Sequence, residues 1–158
     1  MSVKSKYLKS NKKVRNATKC EYDGLEFKSK LELFCYKYAK ELGYTLEYEN
    51  SKTILMQGFR LKGQLYYPSK EHKMILNQRK ILSITYSPDF YMAIKNKLGE
   101  DIKVVIECKG HPNDAYLLKK KMFLQVWDTI WGQNFYFFEP HTQQQVKECF
   151  TIIKAIQR

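Results

Sequence analysis

Val104-Val105-Ile106-Glu107-Cys108-Lys109-Gly110 is an apolar run interrupted by charge at two alternate positions. In a strand, residues two apart share a face. The run therefore predicts Ile106 and Cys108 turned into a core, with Glu107 and Lys109 projecting together from the other side. Apolar sequence around a single charged pair suits a strand covered on both faces. A carboxylate and an ammonium at the end of such a strand are costly unless they pair or bind something. Upstream, Ser87-Pro88-Asp89-Phe90 reads as part of a neighbouring strand. Laid alongside, it brings Asp89 to Glu107 and Lys109, and oxygen donors of that kind suit a hard cation such as Mg²⁺.

Working outward, Asn96-Lys97-Leu98-Gly99 is a turn signal that joins a strand over 86–94 to one over 102–109 as a hairpin. In the first of these, Tyr86, Pro88, Phe90, Met92 and Ile94 are expected on one face and Asp89 on the other. Pro88 cannot donate to a ladder, so the strand begins irregularly or lies at an edge there. Before it, 44–49 and 53–66 read as strands, with Gly58 and Gly63 marking a bulge or bend, 67–73 as a loop, and 74–86 as a further strand. A helix is expected from Ser29 to Gly43 with Leu31, Phe34, Cys35, Tyr38 and Leu42 on its apolar stripe. Ser29 and Glu32 have the spacing of a capping box, which by itself accounts for both residues. After the Gly110-His111-Pro112-Asn113 break, a helix over 114–129 is expected to turn Leu117, Leu118, Met122, Val126 and Ile130 inward. A short aromatic strand over 134–138 follows. Thr142 then caps a final helix with Val146, Phe150, Ile153 and Ile156 on one stripe. The fold class expected is α/β or α+β, a mixed sheet flanked by helices.

The 158 residues suffice for one domain with a real core. Net charge is +12, and residues 1–19 supply +7 of it through Lys4, Lys6, Lys9, Lys12, Lys13, Arg15 and Lys19 with no acid. Residues 1–22 therefore read as a basic flexible arm and 23–158 as the folded domain. A basic arm on a basic body points to a polyanion, most simply nucleic acid, with a solvated leader as the plain alternative. The arm lacks an apolar face for a membrane surface, and the chain shows no secretory signal and no membrane span. The four cysteines, Cys20, Cys35, Cys108 and Cys149, have no zinc spacing and read as free thiols in a reducing cytoplasm.

Hydrolysis of a phosphodiester requires neutralised phosphoryl oxygens, an activated water and a stabilised leaving oxygen. A divalent metal held by carboxylates contributes to all three. Asp89 and Glu107 are the candidate ligands, the Cys108 backbone carbonyl a further oxygen donor, and Lys109 the group to orient or deprotonate water. Glu32 is the candidate acid for a second metal position. E-x-K alone is a weak signal. The structural alternative is an ion pair at a strand end, with Asp89 capping a turn. His111 stands close enough to Lys109 to contact a phosphate, whereas His72 and His141 read as surface residues. Lys119 and Lys120 on the following helix are candidates for tracking the DNA backbone, as are Lys12, Lys13 and Arg15 in the arm. Trp127 and Trp131 read as core. Tyr66 and Tyr67 suit either base stacking or sheet packing.

Phe27-Lys28-Ser29-Lys30-Leu31-Glu32, Leu46-Glu47-Tyr48-Glu49, Tyr86-Ser87-Pro88-Asp89-Phe90 and Ile106-Glu107-Cys108-Lys109-Gly110 occur in one order over residues 24–125. The set resembles the phage endonuclease I family of Holliday-junction-resolving enzymes and related small phage nucleases of the PD-(D/E)XK superfamily. The resemblance implies a restriction-endonuclease-like core and Mg²⁺-dependent cleavage of DNA, with Mn²⁺ able to substitute. It implies Glu32, Asp89, Glu107 and Lys109 as catalytic positions. It also implies a branched DNA substrate and a homodimer, in the host cytoplasm if the chain is phage-encoded. Departures are the longer stretches between Glu49 and Tyr86 and between Asp89 and Glu107, and a basic arm at the front instead of a basic tail. The alternatives are a nicking, transposon-end or restriction-like nuclease, and a nucleic-acid-binding module whose E-x-K is structural.

Overall fold

The computed structural model of the chain describes residues 19–110 and 112–158. Its elements are β1 (Cys20–Tyr22), β2 (Leu25–Phe27), α1 (Lys30–Glu41), β3 (Glu47–Tyr48), β4 (Thr53–Met56), β5 (Tyr66–Pro68) and β6 (Met74–Leu76). They continue with β7 (Ile84–Tyr86), β8 (Phe90–Lys95), β9 (Asp101–Ile106), α2 (Asp114–Trp131), β10 (Phe135–Phe138) and α3 (Gln143–Ile156). The class is α+β, with a central four-stranded mixed sheet in the order β10-β9-β8-β3. β8 and β9 form the expected antiparallel hairpin, with Gly99 at φ 80° in its turn. β10 lies parallel to β9, which requires the crossover that α2 carries.

Period-two alternation divides the core between the two faces of this sheet. Phe90, Met92, Ile94, Ile102, Val104, Ile106 and Cys108 join Cys35 and Ala39 of α1 and Val146, Phe150 and Ile153 of α3 in one buried cluster. On the other face Tyr91 and Val105 join Tyr116 and Phe123 of α2, with Trp127, Phe135 and Phe137 packed against them. β9 is thus covered on both sides, the circumstance its apolar run calls for. α3 carries the full capping box, Thr142 with Gln145. No helix among the described residues is long and apolar enough to cross a membrane.

Several boundaries differ from the expectation. Residues 20–22, assigned to the arm, form β1 and pair with β2 across a turn in which Asp23 and Gly24 take positive φ. The 44–49 strand is reduced to two paired residues. The strand over 53–66 is broken: β4 pairs with β7, a single bridge joins Phe59 to Ile81, and β5 pairs with β6. The segment 67–73 is the tip of that last hairpin, and 74–86 is two strands with irregular chain between. Tyr86 falls on the α2 side with Phe123, not with Phe90, because the chain leaves the ladder at Ser87–Asp89 around the fully buried Pro88. α2 turns Tyr116 and Phe123 inward, while Leu117, Leu118 and Ile130 are exposed. The inward stripe lies about one residue out of phase with the expected one, since aromatic side chains fill the space under β9. Leu42, the C-cap of α1, is likewise exposed, and Ala39 is buried instead.

Candidate active site at the end of the central sheet

The site lies where β8 begins and β9 ends. Phe90 pairs with Ile106, so Asp89 and Glu107, one step beyond in opposite directions, are brought side by side. The two carboxylates are fixed by each other's backbone. Glu107 Oε2 accepts from the Asp89 amide at 3.1 Å, and Asp89 Oδ2 accepts from the Cys108 amide at 2.8 Å. Beyond β9 the chain stays in register with β10, since the Glu107 amide donates to Phe138 O and the Lys109 amide to Pro140 O. Glu107 is 3 % exposed, and its Oε1 accepts from Lys109 Nζ at 2.8 Å. Glu107 and Lys109 thus project together as their spacing requires, and the Lys109 ammonium rests 4.0 Å from the Tyr116 ring centre.

Glu32 reaches the same region from α1. Ser29 Oγ accepts from the Glu32 amide as an N-cap should, but the Glu32 carboxylate does not close the box. It accepts instead from the Lys28 amide at 3.0 Å and from the Tyr48 hydroxyl at 2.8 Å. The side chain is 5 % exposed. The cap explains the amide of Glu32; it does not explain a buried carboxylate turned toward β3 and β8.

Three carboxylates from three separated segments therefore share one electrostatic environment. Burial, then the charges of Glu107 and Glu32, hold the Asp89 carboxyl well above the usual carboxylate range, against the Cys108 amide and Lys109, which pull it down. Neighbouring groups are shifted upward as well. Burial alone would lower Lys28, yet its ion pair with Glu49 and the charges of Asp89 and Glu32 raise it. Burial and the bond to Glu32 push the Tyr48 hydroxyl up. The neighbouring Cys35 thiol and burial also raise the Cys108 thiol, which disfavours its nucleophilic thiolate form.

Sequence reasoning passed over five residues of this neighbourhood. Lys28 and Glu49 form an ion pair at its edge, and the Glu49 amide donates to Asp89 O. Tyr48 holds Glu32, and Tyr116 underlies Lys109. Glu139, at the end of β10, accepts from Lys120 at 2.7 Å and from the Tyr116 hydroxyl. Burial would raise Glu139, but Lys120, Tyr116 and His141 together hold it below the ordinary value. Lys120 is thereby turned to Glu139, while Lys119 is half-buried on α2. His141 is a surface residue, as expected, and contacts Gly110 O and Glu139. Trp127 is core as expected, donating to Thr53 Oγ1 at 3.0 Å. Lys12, Lys13, Arg15 and His111 lie outside the described residues.

Among the described residues no group of three His, Cys, Asp or Glu side chains is already arranged to hold a metal ion. What is present is the pair Asp89 and Glu107 with Glu32 close by, an all-oxygen set of the kind hard cations take. Mg²⁺ characteristically uses one or two carboxylates and keeps water or phosphate oxygens for the rest, so two carboxylates are a sufficient protein contribution.

The chain belongs to the family described as Protein of unknown function (DUF1064), whose model matches residues 11–135. That span contains Glu32, Asp89, Glu107 and Lys109 and ends before Glu139. No curated protein and no solved structure matches the chain significantly.

Proposed function

We propose that the chain is a divalent-metal-dependent DNA endonuclease with a PD-(D/E)XK core. The observation that carries this reading is the side-by-side placement of Asp89 and Glu107 at one sheet end, with Glu32 of α1 near enough that its charge helps hold Asp89 above its ordinary pKa. An arrangement with that surplus of negative charge is costly in a bare protein and is relieved by a bound cation.

Asp89, Glu107 and the Cys108 carbonyl would hold Mg²⁺ or Mn²⁺, and Glu32 a second position. A cation held there would supply neutralisation of phosphoryl charge and a more acidic bound water. The remaining work falls to the chain itself. Lys109 offers an ammonium that can leave Glu107 to hold a phosphate oxygen or orient the attacking water, and the Tyr116 face keeps it in place when it does. Tyr48 and the Lys28 amide hold the Glu32 side chain in place. Lys28, on the exposed edge, is placed to meet a phosphate.

The substrate proposed is branched DNA, on the strength of the four motifs shared in order with junction-resolving nucleases. Structure selectivity of that kind comes from shape and phosphate spacing. Two coordinated cuts require two sites, so the working form proposed is a homodimer acting on DNA in the cytoplasm. One observation favours a purely structural reading: Glu107 and Lys109 are satisfied by each other. The substrate test is a labelled four-way junction beside a linear duplex of the same arms, with Mg²⁺ and with chelator. Paired symmetric cuts confined to the junction and lost with chelator are expected. Equal cutting of the linear duplex removes the junction assignment and leaves a nuclease of another specificity.

A further inference from the structure

Away from the site, residues 59–81 form an excursion with a two-stranded hairpin at its tip that the family resemblance does not account for. Its base is pinned where Phe59 and Ile81 exchange both backbone hydrogen bonds, at 2.9 and 2.8 Å. Gly58 lets the strands close there, since a Cβ would stand 2.9 Å from Ile81 O. Its tip is the β5–β6 hairpin, in which every strand residue is exposed.

Charge identifies what such an arm meets. Between 59 and 81 stand Arg60, Lys62, Lys70, Lys73, Arg79 and Lys80 against the single acid Glu71. None of the six takes part in an ion pair among the described residues. Elsewhere among the described residues six of the sixteen basic side chains, Lys19, Lys28, Lys40, Lys95, Lys109 and Lys120, pair with carboxylates. Two clefts of about 650 and 310 Å³ meet at Asn77-Gln78-Arg79. Tyr67 and Ile75 wall the first and Arg60 and Gln64 the second. Amide and guanidinium side chains are the groups that pair with base edges, and a two-stranded ribbon is one of the two elements that the major groove admits.

We propose that residues 59–81 are a DNA-binding arm that lies in the major groove of a duplex segment beside the cleaved phosphate. Arg60, Gln78 and Arg79 face base edges, and Lys62, Lys70, Lys73 and Lys80 face phosphates. The proposal rests on the nuclease reading for its ligand. The exposed apolar side chains Leu61, Met74 and Ile75 suit a second copy of the chain as well, but a symmetric contact would set one net +5 arm against another. Like charges across an interface are strongly unfavourable, whereas DNA turns the same charge into attraction.

The test measures binding of a 30-base-pair duplex by the full chain in chelator, at several salt concentrations, with sedimentation in parallel. Arg60→Ala/Arg79→Ala and Lys70→Ala/Lys73→Ala change only exposed side chains and are expected to stay folded. Each pair is expected to weaken binding on the order of tenfold. The lysine pair should lower the slope of log K against log salt by about 1.8, two lost phosphate contacts. Native affinity and slope in both variants overturn the proposal. So does a variant that loses self-association while keeping its DNA affinity. Glu107→Gln separates this from the nuclease reading: if it still cuts while the arm variants lose DNA, the arm stands and the catalytic assignment falls. If it is inactive while the arm variants bind as native, the reverse holds.

Discussion

Asp89→Asn is expected to make the chain more stable and at the same time reduce Mg²⁺-dependent cleavage by at least about 10³-fold. The folded state holds the Asp89 carboxyl above its unfolded value, through burial first and the charges of Glu107 and Glu32 second. A carboxyl raised on folding binds its proton more tightly in the native state. Its ionised form therefore weakens folding at neutral pH, and that penalty is relieved as pH falls through the raised folded value toward the ordinary 3.8. Asparagine removes the charge and can still accept from the Cys108 amide. Thermal melting at pH 7.5 should show the gain, about 2–4 °C for each kcal/mol recovered in a chain of this size. The gain should shrink as pH is lowered. A lower melting temperature for Asp89→Asn at neutral pH would mean that the carboxylate is structural.

Lys109→Met has the opposite expected effect on stability with the same loss of function. Its aliphatic part can still cover Tyr116, but Glu107 is left as a buried carboxylate with only the Asp89 amide for a partner. Removing one partner of a buried ion pair costs about 3–5 kcal/mol, and the partial exposure of Lys109 places this case nearer 2. Urea unfolding at neutral pH measures that loss, and added Mg²⁺ should recover part of it by supplying Glu107 with another cation. Loss of a group that orients or deprotonates water lowers the single-turnover rate by about 10²–10⁴. Native cleavage by Lys109→Met would remove the lysine from the chemistry. The two substitutions act on neighbouring charges, so their opposite signs together distinguish an active site from a satisfied salt bridge.

The part of the fold legible in the sequence was the part governed by local rules. Alternation along 102–109, the turn at Gly99 and the Thr142 cap each depend on a few adjacent residues, and β9, its hairpin and α3 followed. The juxtaposition of Asp89 and Glu107 was legible too, because a hairpin fixes its own register. What escaped depended on distant partners. Tyr48 and Glu49 reach the site only through the pairing of β3 with β8, and Glu139 only because β10 lies parallel to β9. The inward face of α2 was misjudged because Leu117 and Leu118 are apolar in composition but lie outside the wedge that Tyr116 and Phe123 fill. Glu32 shows both sides of the matter. Its amide obeys the capping rule, and its carboxylate obeys a contact sixteen residues away with Tyr48.

The measurement closest to the central claim is single-turnover cleavage of DNA by the native chain and by Glu107→Gln, with Mg²⁺ and with chelator. Glutamine keeps the shape of Glu107 and can still accept from the Asp89 amide, so folding is not at issue. The account predicts cutting by the native chain in Mg²⁺, none in chelator, and a loss of at least about 10³-fold in Glu107→Gln despite unchanged DNA affinity. Cutting by Glu107→Gln at the native rate, or native cutting that persists in chelator, would contradict it.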